Sequence, residues 1–96
     1  MKNINKETEK LYEAILLLES KTECDKFFSD IFTIKELLDI SQRLEIAKML
    51  KDKKSYQEIS KLTGASTATI SRVNRCLMYG GGGYELILKK LYKEDK

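Results

Sequence analysis

The placement of helix-breaking residues is the strongest constraint on the fold of this chain. Proline is absent, and the five glycines are Gly64 and the four consecutive residues 80–83. Because proline and glycine most often end helices and open turns, the long stretches between these glycines are free to be helical. Apolar residues recur at helical spacing there, and the alternation typical of strands is missing. The sequence therefore predicts an all-α fold of helices joined by polar turns.

The length of the chain predicts one domain over residues 1–96 and favours a partner subunit. Its 96 residues, 42% hydrophobic and 34% charged, are typical of a small soluble protein. A domain of this size buries only a modest fraction of its surface on its own. The longest apolar run, residues 14–18, is far shorter than the ~18 residues a membrane span needs, and no secretory signal follows the start. We expect a cytoplasmic protein that does not enter a membrane.

The first helix is expected to begin near Asn5 or Lys6 and to contribute to a subunit interface. Its apolar run at residues 14–18 covers the whole circumference of a helix, so this segment should be buried on more than one side. A single chain of this length has too few residues to cover the helix on several sides, so a subunit interface is implied. The helices predicted to form the dimer interface therefore lie at about residues 5–50 and, for the last helix, at about residues 84–93.

Two further helices are predicted in the first half by their starting residues. Thr22 is the expected N-cap of the second helix, which carries all three phenylalanines and should place them in the core or a dimer interface. Thr33 and Glu36 form a T-x-x-E capping box that opens the third helix, which should end between residues 51 and 54.

A helix-turn-helix is predicted over residues 55–77. Ser55 and Glu58 form an S-x-x-E capping box that opens a helix of about two turns. Gly64 permits the positive φ of a tight turn, and Ser66 caps the next helix. Ile59 and Ile70 are expected to pack the two helices together, and the small Ser60 should lie where they cross.

The second helix of this motif has side chains suited to the major groove of DNA. Four are short enough to approach base edges or thymine methyl groups closely: Ser66, Thr67, Ala68 and Ser71. Arg72 and Arg75 are long enough to reach phosphate or guanine. An ordinary helical hairpin is the alternative that the apolar spacing alone leaves open.

Positive charge is concentrated around the same motif. The chain as a whole carries +3, but residues 48–79 hold seven basic residues against two acidic ones, a net charge of +5. The basic residues are Lys48, Lys51, Lys53, Lys54, Lys61, Arg72 and Arg75. A basic surface set among Ser, Thr, Asn and Gln is suited to a phosphate backbone with polar base edges. A solvated charged face is the alternative interpretation.

The reactive residue types argue against an enzyme or a metal protein. Histidine, the commonest general base, is absent, and no phosphate-binding glycine motif accompanies the lysines. Cys24 and Cys76 lie far apart without a C-x-x-C pair, so neither zinc nor a disulfide is indicated. We expect no catalysis, no metal site and no tightly bound cofactor.

The motifs SYQEI at residues 55–59 and TGASTATISRVNRCL at residues 63–77 resemble the tryptophan-repressor superfamily, specifically its Trp-repressor-like branch. The glycine-rich segment MYGGGGY at residues 78–84 strengthens the resemblance, which covers most of the chain from about Phe32 to Leu91. The resemblance implies an all-helical, intertwined homodimer with two helix-turn-helix heads that bind double-stranded DNA. It also implies a sequence-specific transcriptional regulator, a repressor that reads a pseudo-palindromic operator through the major groove as a dimer.

The resemblance implies a set of DNA-contacting residues in this sequence: Gln57, Ser60, Thr67, Ala68 and Ser71. Charge and position add Lys53, Lys54 and Arg75 as contacts to phosphate. With Ser66 and Arg72 from the second helix, these residues form the predicted DNA-binding surface.

The resemblance also implies a candidate effector pocket at Gln42, Arg43, Arg72 and Cys76. In tryptophan-binding members two arginines, a glycine and a serine help to form the pocket. Here Arg72 is retained, whereas Gln42, Val73 and Cys76 stand at the other three positions, with Arg43 one place along. Because Val73 would fill space that an indole needs and Cys76 is a poor hydroxyl substitute, tryptophan is not the expected effector. A small-molecule effector of another kind stays open.

Two alternatives to a transcriptional repressor remain at this point. The same superfamily includes origin-binding domains of replication initiators, so a replication-linked or architectural DNA-binding module is one alternative. A helical protein-interaction dimer that no longer contacts DNA is the other. For the glycines at 80–83, a flexible connector and an anion-binding nest are both open.

Overall fold

The computed structural model describes residues 5–93, and this part of the chain consists of six α-helices without a strand. The helices are α1 (Lys6–Leu16), α2 (Lys21–Ile31), α3 (Ile34–Lys51), α4 (Tyr56–Thr63), α5 (Thr67–Tyr79) and α6 (Gly83–Tyr92). The predicted all-α class is confirmed. None of these helices has the length and apolar composition that crossing a membrane requires.

Most of these helices begin at an N-cap residue whose side chain accepts a hydrogen bond from the backbone amide three residues later. The Asn5 carboxamide oxygen accepts a hydrogen bond from the Thr8 amide at 2.9 Å, as expected for a helix that begins at Lys6. The predicted capping box of α3 is confirmed, because the Glu36 amide donates to the Thr33 hydroxyl and the Thr33 amide donates to the Glu36 carboxylate.

The predicted start of α2 at Thr22 is wrong by two residues. Ser20 is the N-cap, and its hydroxyl accepts a hydrogen bond from the Glu23 amide at 3.1 Å. The Glu23 carboxylate in turn accepts from the backbone amide of Glu19 at 2.9 Å. Ser20 and Glu23 thus provide their own S-x-x-E pair, which places Thr22 inside the first turn.

The chain divides into two compact units, one ending at Leu37 and the other beginning at Leu38. In the first unit the aromatic cluster forms through an edge-on contact between Phe28 and Phe32, whose ring centroids are 5.5 Å apart. No residue of α1 or α2 is buried. Whether the whole chain acts as one domain stays a prediction.

The apolar run of the first helix is not buried within one chain. Leu16 and Leu17 are 82% and 77% exposed. The helix ends at Leu16 with Leu17 as its C-cap, so the five apolar residues do not all lie on one helical cylinder. The expectation that this segment contributes to a subunit interface stays a prediction.

The second unit holds the buried core. Its members come from α3, α4, the turn after α4, α5 and α6: Ile46, Ala47, Ile59, Ala65, Ile70, Val73 and Leu88. Ile59 and Ile70 are fully buried, which confirms the expected packing between α4 and α5. An ion pair of 3.1 Å between Lys51 and Glu85 joins the end of α3 to the start of α6. On α6, Leu88 is buried, whereas Ile87 and Leu91 are about half exposed within one chain, although their helical spacing with Leu88 predicts burial.

Candidate nucleic-acid interface

Helices α4 and α5 form a helix-turn-helix at the position that the sequence predicts. The capping box of Ser55 and Glu58 is complete, with both reciprocal hydrogen bonds present. Gly64 ends α4 with φ of 78°, in the left-handed region that glycine adopts most easily. Ser66 caps α5 by accepting a hydrogen bond from the Thr69 amide at 3.2 Å. Helix borders of this motif are therefore set by local side-chain chemistry.

Side-chain hydroxyls rigidify the turn between the two helices. The Thr63 hydroxyl donates to the Ile59 carbonyl at 2.7 Å and accepts from the Ala65 amide at 3.1 Å. The Ser60 hydroxyl donates to the Ala65 carbonyl at 2.7 Å. Because these bonds connect both sides of Gly64, they fix the direction in which α5 leaves the turn.

The predicted base-contacting residues lie on or near the first turns of α5. Thr67 and Ala68 are exposed, and Ser71, one turn further, is half-buried. Gln57 is exposed on α4. Short side chains at the N-terminal end of an exposed helix let its backbone approach a base-pair edge closely.

Two of the predicted contact residues already have structural roles. The Ser66 hydroxyl caps α5 and donates to the Thr69 hydroxyl at 3.1 Å. Ser60 is half-buried, and its proton is committed to the turn. Each of these hydroxyls retains acceptor capacity, so a contact to DNA from either one would use a lone pair.

The basic residues of the +5 segment separate into two groups. Lys48 forms an ion pair with Asp52 at 2.9 Å and lies 4.6 Å from the centroid of the Tyr92 ring, and Lys51 is paired with Glu85. The other five make no ion pair with any residue of the described range 5–93: Lys53, Lys54, Lys61, Arg72 and Arg75. These five cations keep their charge available for an anionic partner.

Lys53 occupies a special position beside the motif. It follows α3 with φ of 69°, so the chain reverses there before Ser55 opens α4. Its side chain is exposed, and that of Lys54 is half-buried. Lys53 and Lys54, two of the three predicted phosphate contacts, therefore lie in the loop that leads directly into the helix-turn-helix.

An open groove with a volume of about 490 Å³ lies beside α5. Its lining comes from α3, the end of α5, the glycine segment and α6: Ile40, Arg43, Leu44, Cys76, Gly80, Gly81, Gly83, Tyr84 and Ile87. The groove brings together Arg43 and Cys76 of the candidate effector pocket. The other two members, Gln42 and Arg72, do not line it.

Gln42 has a different partner. Its side-chain amide donates to the backbone carbonyl of Thr63, the last residue of α4, at 3.0 Å. Sequence reasoning assigned no such contact to Gln42, although Ile46, one helical turn later on α3, identifies this face as the buried one. Val73 is 3% exposed within the core and is absent from the groove lining.

The sequence leaves both a phosphate contact and half-buried packing open for Tyr84, and the structure places this residue in the lining of the groove. Burial raises the pKa of the Tyr84 phenol, and the charge of Cys76 adds to the rise. The positive charges of Arg43 and Arg72 oppose it and lower the pKa in part. The phenol of Tyr84 and the guanidinium of Arg43 are thus polar groups in a largely apolar groove.

Within residues 5–93, no three His, Cys, Asp or Glu side chains are grouped closely enough to hold a metal ion. Cys24 and Cys76 both have free thiols.

Comparison with known proteins gives one family and several close relatives. The model of the family described as Trp repressor protein matches residues 6–92. The uncharacterised protein YerC of Bacillus subtilis is 49% identical over 90 residues, which cover 94% of this chain and 86% of YerC.

Solved structures show the same similarity. A TrpR-like protein from Eubacterium eligens is 48% identical, with a TM-score of 0.90 over 96% of this chain and 95% of its own. A Staphylococcus aureus protein proposed to be a Trp repressor is 43% identical, with a TM-score of 0.90 over 97% of this chain and 93% of its own.

Proposed function

This chain belongs to the Trp repressor family, and we propose that it is a sequence-specific DNA-binding transcriptional regulator, acting as a repressor, with no catalytic role. The observation that carries the proposal is the start of α5, where Thr67 and Ala68 are exposed, where hydrogen bonds across the turn connect the helix to α4, and near which five cations make no ion pair within residues 5–93. Its place of action would be the cytoplasm, with double-stranded DNA as the partner.

In the proposed mechanism, α5 enters the major groove with Thr67, Ala68 and Ser71 against base edges. Gln57 contacts the DNA from α4. Contacts to phosphate would come from Lys53, Lys54, Arg72 and Arg75, which position the motif on the duplex. Because no long side chain lies at the tip of α5, bridging waters and DNA shape would supply much of the discrimination.

We propose that the active form is an intertwined homodimer. Support comes from large apolar side chains that one chain leaves exposed on its first and last helices: Leu11, Tyr12, Ile15, Leu16, Leu86, Ile87, Leu91 and Tyr92. Such a dimer would present two reading heads to half-sites about one helical turn, roughly 34 Å, apart, and would read a pseudo-palindromic operator.

We propose that tryptophan does not control this regulator. The groove presents Cys76, a poor substitute for a hydroxyl that binds an ammonium group, and Gln42, which stands in place of an arginine, is bonded to Thr63 outside the groove lining. We place the candidate effector site in the groove lined by Arg43, Cys76 and Tyr84. Arg72 does not line this groove, but its positive charge lowers the pKa of the Tyr84 phenol. An effector of this site would have an apolar part and an anionic or hydrogen-bonding group.

Selection from random duplex DNA at near-physiological salt, with the solution mass of the protein recorded, tests the proposal. The expected result is a palindrome with half-site centres about one turn apart, bound by a dimer. Sites that cluster at a replication origin would favour the replication-linked alternative. Binding that is absent, or indifferent to salt, would favour a protein-interaction dimer.

A further inference from the structure

Gln42 connects α3 to the helix-turn-helix by a directional hydrogen bond. Its amide nitrogen lies 3.0 Å from the carbonyl oxygen of Thr63, which is 21 residues further along the chain. The last four carbonyls of a helix have no partner within that helix, and Thr63 is the final residue of α4. Gln42 therefore satisfies a backbone group at the point where the motif turns.

The same threonine begins a chain of hydrogen bonds that crosses the turn. Its hydroxyl accepts from the Ala65 amide, and the Ala65 carbonyl accepts from the Ser60 hydroxyl. Ala65 is immediately followed by Ser66, the N-cap of α5. A displacement of the Thr63 carbonyl would consequently be transmitted over four residues to Thr67, the first residue of the reading helix.

The apolar core beneath the motif does not supply this directional control. Ile46, one turn after Gln42 on α3, packs in the same cluster as Ile59 and Ile70. Apolar contacts of this kind are strong but have no preferred direction, whereas a hydrogen bond weakens steeply when its angle changes. The core thus holds the helices together, and the bond from Gln42 adds a directional contact between α3 and the end of α4.

We propose that Gln42 is a positioning residue for DNA recognition: through Thr63 it holds the reading helix in the orientation that discriminates between sequences, without touching DNA or an effector. The inference rests on the proposed DNA-binding function. It assigns to Gln42 a role different from the effector contact that the resemblance implies.

The test uses Gln42→Met, which keeps the length of the side chain and the net charge but removes the N–H donor. Gln42→Glu, whose carboxylate accepts but does not donate, is the second variant. Gln57→Met is the matched control, because it makes the same substitution at an exposed residue of the proposed DNA surface. Two quantities are measured on each full-length protein: amide hydrogen exchange at Gly64 and Ala65 without DNA, and the ratio of affinities for the selected duplex and random DNA.

Both Gln42 variants are expected to accelerate exchange at Gly64 and Ala65 by about threefold or more, and to lower the affinity ratio by about threefold to tenfold. Gln57→Met should lower the ratio while leaving exchange unchanged. A purely structural role for Gln42 would reduce the fraction of folded protein and both affinities equally, so the ratio would not move.

The inference is overturned if the Gln42 variants keep the wild-type ratio, or if they lower it without changing exchange at the turn. If the wild-type protein prefers no duplex over random DNA, the proposed function fails and the inference fails with it. If the wild-type protein prefers one duplex and the Gln42 variants keep the same preference, the proposed function stands and only the inference about Gln42 fails.

Discussion

The hydroxyl of Ser60 donates to the backbone carbonyl of Ala65 at 2.7 Å, across the turn that Gly64 opens. The two residues lie on opposite sides of the left-handed glycine, and the bond closes a compact loop between α4 and α5. Ser60, which is expected to contact DNA, thus also belongs to the turn that positions the expected contacts on α5. This loop holds the start of α5, with Thr67 and Ala68, in a fixed position relative to α4.

Thr67→Ala is expected to change sequence preference and to leave general DNA affinity nearly intact. Thr67 is exposed at the first position of α5, and a mismatched base pair in a recognition site typically costs about 1–3 kcal/mol. Fluorescence titration with the selected and random duplexes measures both affinities. Thr22→Ala, at an exposed position of α2, is the control and should change neither. Equal losses on both duplexes for Thr67→Ala would contradict the assignment.

Lys53→Ala is expected to weaken binding to every duplex and to reduce the salt dependence. A cation that neutralises one phosphate contributes close to one unit to the slope of log affinity against log salt, so the slope should fall by about 1. Titration at several salt concentrations gives this slope. Lys26→Ala makes the same charge change on α2, and its slope should match that of the wild type. An unchanged slope for Lys53→Ala would remove Lys53 from the phosphate contacts.

Gly64→Ala is expected to lower the free energy of unfolding by about 1 kcal/mol, because alanine adopts the left-handed region with difficulty. No atom lies within 4 Å of an added Cβ, so the cost would come from the backbone conformation alone. Gly81→Ala is the control, since that position is equally open and does not have a positive φ. Urea denaturation of both variants measures the difference, and equal stabilities would contradict the argument.

L-Tryptophan is expected not to bind. In the groove, Cys76 lacks the hydroxyl that an ammonium group would prefer as a partner, and Gln42 stands in place of an arginine and is bonded to Thr63. Isothermal titration of the purified protein with L-tryptophan, in the presence and absence of DNA, measures this. A dissociation constant in the micromolar range would overturn the expectation.

Tyr84 is expected to make stability fall in alkaline solution. Because burial raises the pKa of its phenol in the folded protein above the ordinary 10.0, the unfolded chain releases this proton first as the pH rises. The free energy of unfolding should therefore decline relative to that of Tyr84→Phe once the pH exceeds about 10. Denaturation at a series of pH values gives this difference. In Tyr79→Phe, which removes an exposed phenol, the decline should persist.

The sequence predicts this fold well where structure depends on neighbouring residues. The Thr33 and Ser55 capping boxes and the turn at Gly64 each involve a few adjacent positions, and all are confirmed. The start of α2 was misplaced because Thr22 and Ser20 are both acceptable caps. Only the Glu23 carboxylate, which reaches back beyond Ser20, decides between them.

The candidate site was harder to predict where it depends on distant residues. The exposed positions of Thr67 and Ala68 follow from the helical spacing of Ile70 and Val73. The contact of Gln42 with Thr63 depends on how α3 crosses α4, which no local pattern specifies. For the same reason the groove includes Tyr84, which lies on a third helix.

The helix caps described above also bear on folding kinetics. Asn5, Ser20, Thr33, Ser55 and Ser66 each bond to a residue three positions along the chain. Such short loops have a low contact order and cost little entropy to close. The helix borders can therefore form on the timescale of helix formation, roughly a microsecond. The slower steps of folding then pack helices whose ends are already defined.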